Sequence, residues 1–292
     1  MRDVAIEPPA TVALASALAT RVVTGIVLIG GVLAALFALP TPAFAVVVLL
    51  IVLAAGDEWA RLIGLAQASR AGFALLTLAV GAALLWIGTA RGYQLVALVA
   101  CGIATLFWIA VGVPSVLRNR LPAPRLARAI SAFIVLVGAF VAIVTCRAYS
   151  PWLALGAMAI VWIADTAAYF TGRRFGRHKL APLISPGKTW EGAFGAIVVV
   201  AVYALLLVAF VPHAYGRAID ATFIVSAVAF AIVLAALSIV GDLHESLLKR
   251  RAGVKDSGTL LPGHGGVLDR IDALLAAMPP AALAATIWLG AP

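Results

Sequence analysis

The sequence predicts an all-α, polytopic integral membrane protein with about nine transmembrane helices and a cytoplasmic N-terminus. Two observations support this fold class. The chain of 292 residues is 64% hydrophobic and only 11% charged, whereas a soluble domain is about half apolar and a quarter charged. Apolar runs close to the roughly 20 residues that cross a bilayer also recur between short polar breaks.

These apolar runs define the predicted helices. We expect spans at residues 22–39, 43–55, 71–87, 93–113, 130–145, 152–170, 193–211, 222–240 and 274–289. The second run is short for a full span, and Pro279 and Pro280 interrupt the last one. A tilted, kinked or partly re-entrant course is therefore expected for either helix.

The basic residues predict the orientation. Lys and Arg side chains concentrate on one side when the loops are taken alternately: 18 of the 21 fall in one set, and only Arg91, Arg147 and Arg217 fall in the other. Because Lys and Arg stay on the cytoplasmic side, the N-terminus is expected inside and the C-terminus outside. The net charge of +9 is spread over these loops, which suits anionic lipid and gives no reason to expect nucleic acid.

The same pattern predicts the organisation of the chain. Residues 1–20 are expected to form a leader and residues 21–128 the N-terminal transmembrane helices. Residues 129–292 are expected to form the catalytic transmembrane region, with cytoplasmic loops at 171–192 and 241–272. Cys101 and Cys146 each lie in an apolar run without Cys-x-x-Cys spacing, which indicates core residues instead of a disulfide or a metal site.

Three acids stand out in the polar segment 241–272. Asp269 and Asp272 are three residues apart and share a face if the last helix begins near Leu268, and Asp242 is expected to cap the preceding span. Three carboxylates converging at a membrane surface form a hard-oxygen site that suits Mg²⁺. The alternative is that these acids pair with nearby Lys and Arg side chains in an interfacial salt-bridge network.

A glycine-rich loop and a basic turn point to phosphate. The loop Pro262-Gly263-His264-Gly265-Gly266 would let backbone N–H groups approach a phosphate, although such loops are often simple turns. His264 is assigned to phosphate binding or to loop shape. Lys188 lies in Gly187-Lys188-Thr189, which fails as a P-loop because Pro182 occupies the position of the required earlier glycine. Lys188 is kept as a phosphate ligand.

Two further acidic segments lie next to predicted spans. Asp165 is expected near the cytoplasmic end of its span, ahead of the basic turn. The run Asp57-Glu58-Trp59 is explained by an acidic helix end with an interfacial aromatic residue, and it is left outside the site.

A long signature now becomes recognisable. The chain contains Ser246-x-Leu248-Lys249-Arg250-x4-Lys255-Asp256-x-Gly258-x2-Leu261-Pro262-x-His264-Gly265-Gly266-Val267-x-Asp269-Arg270-Ile271-Asp272. It resembles the full signature of the phosphatidate cytidylyltransferase (CDP-diacylglycerol synthase) family. Blocks at 165–166, 185–192 and 241–243 are similar to that family too, so the likeness covers roughly the C-terminal half. His244 departs from it, standing where the family leads us to expect phenylalanine, and Ala167 stands where it leads us to expect glycine.

The resemblance implies a reaction and its partners. It implies that the phosphate of phosphatidic acid attacks the α-phosphorus of CTP, giving CDP-diacylglycerol and pyrophosphate in phospholipid biosynthesis. It also implies Mg²⁺ with a second, monovalent cation such as K⁺, and a homodimer. The expected location is the bacterial cytoplasmic (inner) membrane among its lipids, with the active site facing the cytoplasm.

The site residues follow from the motifs and the resemblance together. The cation site is assigned to Asp242, Asp269 and Asp272. The catalytic set adds Lys255 and Asp256 to these three acids. The phosphate-binding set is Lys188, Ser246, Lys249, Arg250, His264, Gly265, Gly266 and Arg270. Additional candidates are Asp165, Thr189 and Glu245.

Three other functions are compatible with a membrane protein that has acids and basic loops, but each fits the sequence less well. A CTP-dependent polyprenol or phytol kinase would also gather acids and basic loops at a membrane surface, but the complete signature disfavours it. A CDP-alcohol phosphotransferase would need a longer spaced series of aspartates with an Ala-Arg pair, which the sequence lacks. A transporter would bury its acids midway along spans, whereas these acids crowd into polar segments at one face.

Overall fold

The computed structural model describes residues 10–215 and 220–290, with side chains for residues 22–209 and 220–290. A π-helical segment at Trp108–Gly112 joins the helix Gln94–Phe107 directly to the helix Val113–Leu117. The helices are α1 (Ala10–Ala38), α2 (Thr41–Leu62), α3 (Gln67–Arg91), α4 (Gln94–Phe107), α5 (Val113–Leu117), α6 (Arg125–Tyr149), α7 (Pro151–Phe175), α8 (Trp190–Tyr215), α9 (Ala221–Ala252) and α10 (Leu268–Leu289). Two short strands, β1 (Lys179–Ala181) and β2 (Ser185–Thr189), pair antiparallel.

The helical membrane fold predicted from the sequence is confirmed. Among the described residues, 8 helical stretches are long and apolar enough to cross a bilayer, and a shorter apolar helix covers Val22–Ala38. Each predicted span coincides with one of these nine. The second span is longer than its apolar run, because α2 continues through Asp57 and Glu58 to Leu62.

The start of the chain differs from the predicted leader. Residues 1–9 lie outside the described part of the chain. From Ala10 onwards the backbone is already helical and continuous with the first span. Helix α1 therefore begins within the segment that was predicted to precede it.

Helix α6 lies at the centre of the bundle. Its most apolar window is 72% buried, the largest share among the candidate spans of the described chain. It packs against α2 and α4 from the first half of the chain and against α10 from the second half. The helices on either side of residue 128 therefore share one apolar core.

Helix α9 is longer than its apolar run. The predicted span ended at residue 240, but the helix continues to Ala252 and ends at Gly253, whose φ of 74° lies in the left-handed region. Residues 241–252 are thus the last turns of a helix instead of a loop. Asp242 lies inside this helix, so its predicted role as a cap is wrong, since the polar residues from Asp242 onwards do not interrupt the helical backbone.

Helix α10 accommodates its two prolines without a break. Proline has no N–H, so Pro279 leaves the carbonyl of Leu275, four residues earlier, without its helical partner. The indole Nε1 of Trp108 donates to that carbonyl at 2.9 Å. The π-helical segment of the fourth span thus supplies a donor for the carbonyl that Pro279 leaves unpaired, and α10 runs as one helix.

This contact yields a prediction about stability. Trp108→Phe keeps an aromatic ring in the core but removes the N–H, which leaves a buried carbonyl unsatisfied. We expect a loss of about 1–3 kcal/mol in the free energy of unfolding, seen as a lower thermal midpoint in detergent.

Trp86→Phe is the matched control, because the side chain of Trp86 is 68% exposed. Its midpoint should stay at the parent value. In a Pro279→Ala background, which restores the N–H to α10, the cost of Trp108→Phe should shrink. Equal costs of Trp108→Phe in both backgrounds would contradict the pairing.

Candidate active site

The β-hairpin brings a lysine to the end of α9. Ile184, between the two strands, is buried against Leu243 and Leu247 of α9 and fixes the hairpin there. Strand β2 then places the ammonium of Lys188 at 2.6 Å from Oδ2 of Asp242. Lys188 was predicted to lie in a basic turn, and the structure shows it in a strand that leads into α8.

Acids from three different helices lie within electrostatic range of this lysine. Asp165 of α7 and Asp272 of α10 both interact electrostatically with Asp242 of α9 and with Lys188. The Ser246 hydroxyl donates to Oδ1 of Asp242 at 3.3 Å. We call this group of three carboxyl side chains the aspartate cluster (Asp165, Asp242 and Asp272).

A second charged group lies deeper, around Lys249. The Nζ atom of Lys249 is 2.5 Å from Oε2 of Glu245 and 2.6 Å from Oδ1 of Asp269. The side chains of Lys249, Glu245 and Asp269 are only 12%, 2% and 4% exposed. Lys249 was predicted to bind phosphate, but here both of its neighbours are carboxylates and little of it reaches solvent.

Asp269 and Asp272 have separate surroundings. The second oxygen of Asp269 accepts hydrogen bonds from the backbone N–H of Ser257 at 2.9 Å and of Gly266 at 2.8 Å. Both oxygens of Asp269 therefore have protein partners, while Asp272 belongs to the aspartate cluster. In the described part of the chain, no group of three or more His, Cys, Asp or Glu side chains is arranged to hold a metal ion. The set Asp242, Asp269 and Asp272 stays a prediction.

The glycine-rich loop approaches carboxylates. Gly265 has a φ of +84°, and a Cβ there would lie 2.8 Å from Oδ2 of Asp269. A Cβ on Gly266 would lie 2.4 Å from Oε2 of Glu58. Glycine is thus required by contacts within the protein, and phosphate binding by this loop stays a prediction. The loop also contacts α1, where the Thr24 hydroxyl donates to the carbonyl of Pro262 at 3.3 Å.

Three of the remaining predicted residues are exposed. Lys255, Asp256 and Arg270 reach solvent, and within the described chain none of them forms an ion pair.

The other predicted residues have partners within the protein or are partly buried. The guanidinium of Arg250 donates to the backbone carbonyls of Ile184 at 3.4 Å and Val254 at 3.2 Å. Thr189 is buried, and its hydroxyl accepts from the N–H of Gly192, which caps α8. His264 is partly buried at the loop tip.

Glu58 joins this end of the bundle, although the sequence placed it outside the site. Its carboxylate is 1% exposed and accepts from the N–H groups of Val267 and Leu268 and from the hydroxyl of Ser257. The partners are about 200 residues away in sequence, so no local pattern reveals them. Gly258 and Gly266 are indirect signs of this contact in the sequence, because any side chain at either position would clash with Glu58.

His244 fills an aromatic position. Its ring centroid lies 5.8 Å from Trp59, 6.5 Å from Phe107 and 5.4 Å from Trp108. It is 2% exposed, and neither ring nitrogen has a hydrogen-bond partner among the described residues. This histidine therefore packs in the way expected of the phenylalanine that the family resemblance predicts at this position.

Comparison with known proteins agrees with the signature. Residues 19–288 match the family described as "Cytidylyltransferase family". A Pseudomonas aeruginosa protein named phosphatidate cytidylyltransferase is 35% identical over 276 residues, which cover 92% of this chain and 96% of that protein. Proteins of the same name from Haemophilus influenzae and Brucella suis are 46% identical over 128 residues and 48% identical over 119 residues. The latter two matches cover 43% and 41% of those relatives.

The buried pairing of Lys249 gives a test of this geometry. Lys249→Met would leave the carboxylates of Glu245 and Asp269 without their cation in a site of low dielectric. Removal of one member of a buried ion group costs about 3–5 kcal/mol, so we expect a large fall in the thermal midpoint of the purified protein.

The double variant Glu245→Gln with Lys249→Met should recover much of this loss, because Asp269 keeps its two backbone N–H donors. Arg251→Met is the control on the same helix, since Arg251 pairs with no carboxylate in the described chain. Its loss removes one exposed hydrogen bond to the carbonyl of Asn119 and should cost little. A double variant as unstable as Lys249→Met alone would show that Glu245 is not the unpaired charge.

Proposed function

We propose that this chain, which belongs to the cytidylyltransferase family, transfers a cytidylyl group from CTP to phosphatidic acid, giving CDP-diacylglycerol and pyrophosphate. The family and the enzyme class agree with the prediction from the sequence. The observation that carries the proposal is the aspartate cluster with Lys188, assembled from α7, α9, α10 and the hairpin. It unites residues of every block that resembles the family.

The chemistry of the reaction explains why charge is gathered here. The attacking oxygen belongs to a phosphate that is already an anion, so the residues need not remove a proton from it. The difficulty is bringing that anion to the α-phosphorus of an equally anionic nucleotide. The new P–O bond forms on the α-phosphorus as the bond to the bridging oxygen breaks, and pyrophosphate leaves with that electron pair.

The aspartate cluster fits a divalent cation. Its three carboxyl groups outnumber the single ammonium of Lys188, and carboxylate oxygens are the ligands that Mg²⁺ prefers. Mg²⁺ also keeps waters and substrate phosphates as ligands, so one or two protein carboxylates suffice. We assign it to Asp242 and Asp272, with Asp165 beside them. When bound, it would neutralise phosphate charge on CTP.

The third predicted Mg²⁺ ligand, Asp269, and the second, monovalent cation have less support than the pair Asp242 and Asp272. Asp269 is less suited to hold Mg²⁺, since its oxygens already accept from Lys249, Ser257 and Gly266. A second, monovalent cation such as K⁺ is supported by the family resemblance alone. It is part of the proposal without assigned ligands.

The exposed cations are suited to receive the phosphates. Lys255 and Arg270 have no acidic partner in the described chain, and they flank the loop that leads into α10. An Arg side chain can grip two phosphate oxygens at once. We assign these two residues to CTP or to the lipid phosphate, with Lys188 at the cluster. Lys249 instead holds Glu245 and Asp269 in place.

The protein is an integral membrane protein with bacterial relatives, and its membrane and orientation are inferred from charge. The site lies at the end of the bundle that carries most Lys and Arg residues, whereas Arg91 and Arg147 lie in the last turns of α3 and α6 at the other end. By the positive-inside rule, we propose the bacterial inner membrane with the site facing the cytoplasm. A homodimer is proposed from the family resemblance.

The reaction itself is testable with labelled nucleotide. Purified protein in detergent, given Mg²⁺ and phosphatidic acid, should move label from [α-³²P]CTP into CDP-diacylglycerol, and no label from [γ-³²P]CTP should enter lipid. Asp272→Asn should lower the rate about 100-fold, since loss of a cation ligand removes several kcal/mol of transition-state stabilisation.

Asp57→Asn is the matched control. Asp57 pairs with Arg61 and Arg70 at the end of α2, away from the cluster, and its variant should keep the parent rate. Lipid labelled from the γ-phosphate would mean kinase activity instead, and an unlabelled lipid fraction from folded parent protein would overturn the proposal.

A further inference from the structure

Glu58 is a buried carboxylate that binds the start of another helix. It lies near the end of α2, and its Oε1 accepts from the N–H of Val267 at 3.0 Å. Its Oε2 accepts from the N–H of Leu268 and from the hydroxyl of Ser257, each at 2.8 Å. Leu268 is the first residue of α10. The free N–H groups and the positive dipole end of a helix stabilise an anion at this place.

Asp269 is a second carboxylate that binds the same loop. It accepts from the N–H of Ser257 and of Gly266, whereas Glu58 holds the hydroxyl of Ser257 and the N–H groups of Val267 and Leu268. Both ends of the segment 257–268 are thus held by the same two carboxylates. We call this arrangement the carboxylate clamp (Glu58 and Asp269 with residues 257, 266, 267 and 268).

The loop is shaped to the carboxylate of Glu58. A Cβ on Gly258 would lie 2.4 Å from Oε1 of Glu58, and the three heavy atoms nearest to it all belong to Glu58. A Cβ on Gly266 would lie 2.4 Å from Oε2 and 2.1 Å from the hydroxyl of Ser257. Such distances are far below van der Waals contact. The two glycines of the signature therefore allow the loop backbone to close around this side chain.

The charge of Glu58 is stabilised by hydrogen bonds instead of by a cation. It is 1% exposed, and in the described chain it forms no ion pair, whereas its neighbour Asp57 pairs with Arg61 and Arg70. A carboxylate removed from water needs such donors. Glu58 has three, all from the loop and α10. Loss of its charge therefore weakens the attachment of these segments specifically.

The groups that the clamp holds are those assigned to the reaction. Lys255 and Asp256 immediately precede Ser257, and Arg270 and Asp272 follow Leu268 within the first turns of α10. We propose that Glu58 is a positioning residue for cytidylyl transfer, which fixes these side chains relative to Asp242 on α9 without touching substrate. The inference rests on the proposed function of the aspartate cluster.

Glu58→Gln is the sharpest variant, because it keeps the shape and removes the charge and one acceptor. The amide NH₂ of the glutamine would face either the N–H of Val267 or the N–H of Leu268, so the side chain would lose at least one of these two hydrogen bonds. Displacement of reacting groups by about 1 Å can cost on the order of 100-fold in rate. We expect kcat to fall at least 10-fold while KM for CTP changes less than about 3-fold.

Hydrogen exchange adds a readout that does not depend on activity. Amides of residues 257–268 should exchange at least 10-fold faster in Glu58→Gln than in the parent, with no change in α6. Asp57→Asn, one residue away, should match the parent in kcat and in exchange. If Glu58→Gln matches Asp57→Asn per folded molecule in both measurements, the positioning role is overturned.

Two further variants keep the test decisive if Glu58→Gln does not fold. Ser257→Ala removes one of the three donors, and it should lower kcat and speed exchange in the same segment by a smaller factor. Gly258→Ala should be costly in the parent but should add little to Glu58→Ala, since its clash is with Glu58. Unchanged kcat and exchange in Ser257→Ala, or additive losses in the double variant, would contradict the clamp.

The two proposals fail in different ways. If folded parent protein transfers no cytidylyl group, the proposed function fails, but exchange of residues 257–268 still reports on the clamp. If the parent is active and Glu58→Gln is equally active with unchanged exchange, only the positioning role of Glu58 fails.

Discussion

A carboxylate buried at the membrane end of a helical bundle must be matched by donors or cations, and this constraint organises the site. Glu58 is matched by N–H groups at the start of α10, and Asp269 by Lys249 and two loop amides. Because these partners come from α2, α9, α10 and the connecting loop, satisfying the charges fixes the helix ends relative to one another. We propose the aspartate cluster, in which three carboxyl groups outnumber one ammonium, as the place for a cation and phosphates.

The helices could be predicted from the sequence because hydrocarbon imposes a strict rule. A backbone in the bilayer must satisfy its own polar groups, so each apolar run became a helix, including the short second run and the run with Pro279 and Pro280. The ends were less predictable. Helix α9 continues to Ala252 because the polar residues after 240 are still compatible with a helix. The hydropathy of the sequence indicates only where the apolar run ends, so it could not predict the end of the helix.

The sequence predicted candidates for the site, but it could not predict how they are arranged. Asp242, Asp269 and Asp272 were predicted to act together, but spacing on one helix could not show that Asp269 would pair with Lys249 while Asp272 joined Asp242. Glu58 was missed because its partners lie in the last quarter of the chain. Gly265 and Gly266 suggested a phosphate loop, whereas the structure places that backbone against the carboxylates of Asp269 and Glu58.

We propose that some acids of this site bind a cation and that others hold the chain together. An anomalous-scattering crystal structure of the protein with CTP, and with Mn²⁺ in place of Mg²⁺, would test this division of roles. We expect a manganese peak bound by Asp242 and Asp272, with Asp269 still paired to Lys249 and Glu58 still at the start of α10. A peak coordinated by Asp269 or Glu58 would contradict this division.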